Sequence, residues 1–220
     1  MNFCRKDCLL YAVTDRSWLR GQTLASQVEE ALRGGATMVQ LREKELTGAA
    51  LEKEAREVQA VCAAFHVPFL INDDPELAAW LGADGVHVGQ EDMGAQAARR
   101  LLGPDKSVGV TAKTVPQALA AEAAGADYIG SGAVFGSATK TNAVPMEHSL
   151  LKEICSSVTI PVTAIGGITI HNIARLAGCG MSGFAVVSGI FAAEDVEEAS
   201  RRLRLEAERL VKQKEAFGRI

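Results

Sequence analysis

The chain lacks any cysteine pattern that would staple it or ligate a metal: Cys4, Cys8, Cys62, Cys155 and Cys179 are odd in number, and no Cys-x-x-Cys spacing occurs. That speaks against a disulfide framework and a structural zinc site, and it fits a reduced, cytoplasmic protein. Charge of one sign is missing too. Twenty-seven acidic against 23 basic residues, not gathered into blocks, give a formal net charge of −4. Such a balance provides no electrostatic footprint for nucleic acid or an anionic membrane surface, so each cation must be read individually. Long hydrophobic runs are also absent: the first ten residues are broken by Arg5, Lys6 and Asp7, and no later segment reaches the roughly 20 apolar residues of a membrane span. The expectation is a soluble protein with neither a nucleic-acid nor a membrane partner.

What is present is apolar residue in short pieces. The 220 residues are 48% hydrophobic, enough for one large core, and residues 1–220 read as a single domain. β-type runs at 9–14, 38–42, 68–72, 85–88, 107–111, 128–132, 161–165 and 184–187 alternate with amphipathic stretches at 23–33, 48–65, 75–81, 95–102, 115–124, 149–155, 170–177 and 196–214. That alternation predicts parallel strands joined by helical crossovers. Asp74 followed by Pro75 reads as an N-cap and first helical residue, and Thr47 stands before the second helix. A weak repeat marks every second unit: Gly35, Gly82, Gly125 and Gly180 each end a helix just ahead of a strand, where glycine can turn left-handed. An open, doubly wound sheet shares the alternation. Eight evenly spaced units without a switch-point break favour the closed (β/α)8 barrel. The charged C-terminal stretch 201–214 reads as a solvated helix face.

Strands of a parallel barrel are buried on both faces, so polar residues at their ends need a task or a partner. Gln40, Arg42 and Lys44 alternate at the end of the second strand and read as an anion clamp on one side of an extended segment. After the third and fourth strands, Asp73 and Asp92 can offer carboxylate oxygens from adjacent loops to Mg2+, with water and phosphate oxygens completing the shell. Asp74 is assigned to the cap, and Glu91 to solvent. His87 points opposite to its apolar neighbours and is given a supporting role. Thr111 offers a hydroxyl at the end of the fifth strand. The sixth strand runs into a long loop of small residues, 130–142, with Lys140 as its one lysine, suited to close over a ligand. Gly166-Gly167 and Ser188-Gly189 follow the seventh and eighth strands, where this fold commonly holds a phosphate on bare NH groups.

With Gln40-Leu-Arg-Glu-Lys44, Ile71-Asn-Asp73, His87-Val-Gly-Gln-Glu-Asp92, Ala138-Thr-Lys140, Ile165-Gly-Gly167 and Val187-Ser188 in place, the chain resembles the thiamine-phosphate synthase family over residues 9–200. The resemblance implies a transferase of thiamine biosynthesis on a TIM barrel, joining an aminopyrimidine diphosphate to a thiazole phosphate. It implies that Gln40, Arg42, Lys44, Asn72, Thr111 and Lys140 contact the pyrimidine diphosphate, and that Asp73 and Asp92 ligate Mg2+. It assigns Ser137, Ala138, Thr139, Gly167, Val187 and Ser188 to the thiazole phosphate. The chain departs from the family's pattern at Lys113, at Phe135-Gly136-Ser137 and at Ala138. Three other readings stay open at this point: a thiazole tautomerase, another sugar-phosphate enzyme of barrel type, and a non-catalytic thiamine-phosphate sensor. Oligomeric state is not legible, although barrels of this size often form homo-oligomers.

Overall fold

The computed structural model describes residues 3–136 and 145–217, with side chains as far as residue 212. Eight parallel strands close in sequence order into a barrel: β1 (Leu10–Val13), β2 (Met38–Leu41), β3 (Phe69–Asn72), β4 (Gly85–Val88), β5 (Ser107–Thr111), β6 (Tyr128–Gly132), β7 (Val162–Ile165) and β8 (Gly183–Val186). The seam is the pairing of β1 with β8, in register Leu10↔Phe184, Tyr11↔Ala185 and Ala12↔Val186. The helices are α1 (Leu24–Arg33), α2 (Gly48–Ala64), α3 (Pro75–Leu81), α4 (Ala95–Leu102), α5 (Val115–Ala123), α6 (His148–Ser157), α7 (Ser188–Phe191) and α8 (Val196–Phe217). None of them, among the described residues, is long and apolar enough to cross a membrane.

Local chemistry sets these boundaries. Asp74 caps α3, its Oδ1 accepting from the Leu77 amide at 2.8 Å, with Pro75 as the first helical residue. Thr47 precedes α2 in an extended conformation, but its side chain makes no capping bond. The repeated glycines all lie in the left-handed region, with φ of 101° at Gly35, 68° at Gly82, 85° at Gly125 and 89° at Gly180. Each releases the chain from a crossover into the next strand.

The seventh crossover corrects the sequence reading. A helix expected over 170–177 is a single 3-10 turn, Ile173–Leu176. Asn172 Oδ1 accepts from the Thr169 amide at 2.8 Å, a side-chain bond that competes with helix formation. Gly178 at φ 77° then turns the chain away. The short α7 after β8 was not expected either; four residues carry too little periodicity to be read.

Two apolar layers result. The outer one packs strand residues such as Val39, Phe69, Val86 and Phe184 against the helices. The inner one comprises Cys8, Tyr11, Val13, Met38, Leu70, Tyr128 and Ala185. Phe3 stacks on Tyr128 with ring centroids 5.4 Å apart. Interior room for rings comes from glycine. A Cβ at Gly109 would lie 2.1 Å from Tyr128 Cζ, and one at Gly130 would lie 2.9 Å from His87 Cε1.

The seam tolerates no added atoms, since a Cβ at Gly183 would sit 1.7 Å from the Cys8 carbonyl oxygen, which is backbone and cannot swing aside. Gly183→Ala is expected to cost about 3 kcal/mol or more, lowering Tm by roughly 6–12 °C for a chain of this size. Thermal unfolding followed by circular dichroism checks it, and a melting point equal to wild type would contradict the close packing.

Candidate active site

Because every strand is parallel, all eight C-terminal ends meet at one rim. At β2 the strand stops at Leu41, where the chain is pinned to β1: the Arg42 amide donates to Thr14 Oγ1 at 2.9 Å, and the Thr14 amide to the Gln40 carbonyl at 3.0 Å. This alters the clamp expected of Gln40, Arg42 and Lys44. They do not share one extended face, since Arg42 and Lys44 lie beyond the strand. Gln40 is 4% exposed and points into the barrel interior. Arg42 reaches to 3.9 Å from Asp15, and Lys44 Nζ donates to Asp73 Oδ2 at 2.8 Å.

The acidic residues do come together. Asp73 follows β3 at φ 64°, a left-handed conformation that aspartate tolerates better than most residues. Its amide donates to the His87 carbonyl at 2.8 Å. Its Oδ2 accepts from Lys44 Nζ at 2.8 Å, and the Asp92 carboxyl and Asn72 side chain are near enough to act on its acidity. Asp92 Oδ2 in turn accepts from the Gly89 amide at 2.7 Å. The two carboxyls are driven apart in acidity. For Asp73, burial raises the pKa, but the Lys44 ammonium and the other hydrogen bonds outweigh it and hold the group below its ordinary value. For Asp92, burial and then the facing Asp73 carboxylate raise it despite the Gly89 amide. Two carboxylates in contact repel unless a proton or a cation lies between them. Among the described residues no cluster of three or more His, Cys, Asp or Glu side chains could hold a metal by itself. Asp73 and Asp92 could hold a hard cation only with water and substrate oxygens as its other ligands.

Deeper in the barrel, polar groups form a line from wall to wall. Gln40 Nε2 donates to the Tyr11 hydroxyl, which lies 2.9 Å from the Tyr128 hydroxyl. Tyr128 is 3.0 Å from His87 Nδ1, and His87 Nε2 is 3.0 Å from Thr111 Oγ1. His87, expected in a supporting role, lies between Tyr128 and Thr111, and the sequence reading did not single out Tyr11 or Tyr128. A tyrosine at an inward strand position was the available signal, because a buried phenol needs a partner.

At the far side of the rim, Gly167 has φ 65° and its carbonyl accepts from Asn172 Nδ2 at 2.8 Å. Val187 and Ser188 open α7, and the pairing Ile165↔Ala185 sets these two strand ends side by side. A Cβ at Gly189 would lie 2.4 Å from the Ile168 carbonyl, so the two loops touch. Ser137, Ala138, Thr139 and Lys140 lie outside the described residues.

Beside the β2 cations is a cavity of about 290 Å³, lined by Asp15, Arg16, Trp18, Arg42, Glu43 and Lys44. Arg16 bridges Glu43 at 2.6 Å and Glu54 of α2 at 2.7 Å. Burial and the neighbouring Glu43 push Glu54 up to about 7. Glu43, though also raised by burial, is held well below the ordinary range by Arg16 and by the Glu45 and Leu46 amides.

The family model of thiamine monophosphate synthase matches residues 10–190. The chain belongs to the thiamine monophosphate synthase family. Among its relatives in that family, the thiamine-phosphate synthase of Clostridium novyi (strain NT) is 46% identical over 195 residues, covering 88% of this chain and 96% of the relative. Thiamine-phosphate synthase 2 of Streptococcus pneumoniae serotype 4 is 45% identical over 193 residues, covering 88% and 92%. The solved structure of the thiamine phosphate pyrophosphorylase of Pyrococcus furiosus superposes with a TM-score of 0.86 at 34% identity, covering 94% of this chain and 98% of that one.

The Glu43–Glu54 pair makes stability depend on pH. The native chain keeps a proton on Glu54 up to about 7, whereas an ordinary glutamate gives it up near 4.5. Stability from that proton is complete below the unfolded value and is lost as pH rises through the folded one. Glu43 acts in the opposite sense only at more acid pH. Between pH 5 and 8 the melting temperature of wild type should therefore fall more steeply than that of Glu54→Gln, whose amide donates to Glu43 without a titratable proton. Parallel slopes in scanning calorimetry would count against the shared proton.

Proposed function

We propose that this chain joins an aminopyrimidine methyl diphosphate to a thiazole phosphate, forming thiamine phosphate and releasing diphosphate. Family membership over most of the chain supports the reaction. The single structural observation behind its chemistry is the meeting of Asp73 and Asp92 beside Lys44 on the rim that also carries Arg42.

In this reading the carbon–oxygen bond between the pyrimidine methylene and the diphosphate breaks early, its electron pair leaving on the diphosphate. The amino-substituted ring delocalises the positive charge left behind, so no protein nucleophile is needed. Arg42 and Lys44 neutralise the departing oxygens, and the family resemblance gives Lys140 the same task. Lys44 spends one of its three donors on Asp73 and is half exposed, leaving the others for the leaving group. Asp73 and Asp92 would hold Mg2+, which when bound supplies positive charge to the diphosphate oxygens. Gln40, Asn72 and Thr111 orient the pyrimidine. Gly167, Val187 and Ser188, with Ser137, Ala138 and Thr139, anchor the thiazole phosphate. The thiazole nitrogen then donates its lone pair to the methylene carbon. Holding both reactants in line removes on the order of 7 kcal/mol of barrier. Both partners are small molecules, and the five free thiols fit a reducing cytoplasm.

Release of diphosphate that requires both substrates tests the assignment, and its absence would refute it. Asp92→Asn separates site from scaffold: relief of the like-charged contact should leave the melting temperature unchanged or higher. Turnover in Mg2+ should nevertheless fall by about 100-fold or more. Wild-type turnover in that variant would remove Asp92 from the site.

A further inference from the structure

The segment Gly166-Gly167-Ile168 after β7 meets a different neighbour at each of three successive carbonyls. The Phe135 amide donates to the Gly166 carbonyl at 3.1 Å, and Asn172 Nδ2 donates to the Gly167 carbonyl at 2.8 Å. The Ile168 carbonyl packs against Gly189 of the loop after β8. Asn172 cannot be turned round, because its Oδ1 accepts from the Thr169 amide at 2.8 Å, a group that only donates. The first two holds are also joined to each other. Arg175, in the 3-10 turn that starts one residue after Asn172, places its guanidinium carbon 5.2 Å from the centre of the Phe135 ring. His148 meets the same ring edge-on, with centroids 5.2 Å apart. Ile173 and Leu176 of the turn are fully buried, which anchors Asn172 from behind.

Peptide planarity converts these bonds into direction. Across a trans peptide the carbonyl and the following N–H point opposite ways. The bond to the Gly166 carbonyl therefore fixes the Gly167 N–H, and the bond to the Gly167 carbonyl fixes the Ile168 N–H. These two peptide planes flank the Gly167 α-carbon, whose φ of 65° lies in the left-handed region. Glycine has more backbone freedom to lose than any other residue, so an unheld Gly167 would present its N–H in many directions. Held on both sides, it is oriented before a ligand arrives, and binding an anion there requires no ordering of the loop. The short turn that stands in place of the expected helix thus has a use: it delivers Asn172 to the Gly167 carbonyl.

We propose that Asn172 is a positioning residue for the thiazole phosphate: by holding the Gly167 carbonyl, it keeps the flanking peptide planes in the one orientation in which the loop after β7 receives that phosphate. The proposal rests on the function assigned above, which gives Gly167 to the thiazole phosphate. Asn172 acts through the backbone, since both polar atoms of its amide are engaged by Thr169 and Gly167. The phosphate is remote from the bonds that break and form, so the loop holds it alike before and during the reaction. Loss of such uniform binding raises KM for the thiazole phosphate and leaves kcat unchanged.

Two variants separate the hold on Gly167 from the turn and from charge. Asn172→Asp keeps an oxygen for the Thr169 amide and loses the donor to Gly167, at the cost of an added negative charge. Asn172→Ala loses both bonds and adds no charge. Each is assayed by diphosphate release, with either substrate varied in turn, at a temperature where circular dichroism shows it folded. In both variants KM for the thiazole phosphate should rise about tenfold or more. KM for the pyrimidine diphosphate and kcat should stay within about twofold of wild type, a split that a merely structural defect does not produce. An unchanged KM in both variants, or an equal rise for both substrates, would overturn the positioning role alone. So would a rise confined to one variant: in Asn172→Asp it would mark repulsion by the new charge, and in Asn172→Ala loss of the turn. A wild-type chain that releases no diphosphate with both substrates present would overturn the function, and the role of Asn172 with it.

Discussion

A closed ring of parallel strands forces eight chain ends onto one side of the molecule, and everything assigned to the site depends on that closure. Its last link is the register of β1 against β8, which no stretch of sequence encodes locally. Residues separated by dozens of positions, such as Lys44 and Asp73, become neighbours because the strands preceding them are adjacent and point the same way. In an open sheet the first and last strands would lie at opposite edges. The loops carrying Asp15 and Ser188 would then face away from each other.

Two polar systems occupy different depths of this ring and obey different electrostatics. At the rim, the Lys44–Asp73 and Arg42–Asp15 pairs are partly solvated, so each attraction is weak and can be exchanged for contacts with a charged ligand. Within the barrel, Tyr11, Tyr128 and Gln40 have no access to bulk water, and an unmade hydrogen bond there costs about 1–3 kcal/mol. The interior line is consequently costlier to break than the contacts at the rim. That division suits a reaction in which one substrate is recognised by shape and hydrogen bonding while a large negative charge arrives and departs.

The glycines show how the two systems share one scaffold. Gly109 and Gly130 weaken β5 and β6 by removing side chains from the core, and in exchange the rings of Tyr128 and His87 fit between the walls. Gly166 and Gly167 let β7 end tightly against the start of the sixth-strand loop, where a Cβ at Gly166 would meet Ala133 at 2.5 Å. Backbone, not side chain, thus lines this part of the rim.

Periodicity and turn chemistry in the sequence determined the order of elements: eight short apolar runs, the Asp74–Pro75 helix start and the four left-handed glycines all reflect local backbone preferences that need no distant partner. The polar residues at strand ends were legible as well, because a charge beside a buried strand is costly anywhere. Local signals misjudged the span after β7, where the bond from Thr169 to Asn172 and the turn at Gly178 outcompete a helix. Only the tertiary structure decided that Gln40 turns inward while Arg42 and Lys44 leave the strand, and that Tyr11, Tyr128 and His87 join across the barrel. It alone placed Glu54 against Glu43 and Arg16. These contacts link residues far apart in the chain, and their energies depend on burial and distance, which arise only once the ring has closed.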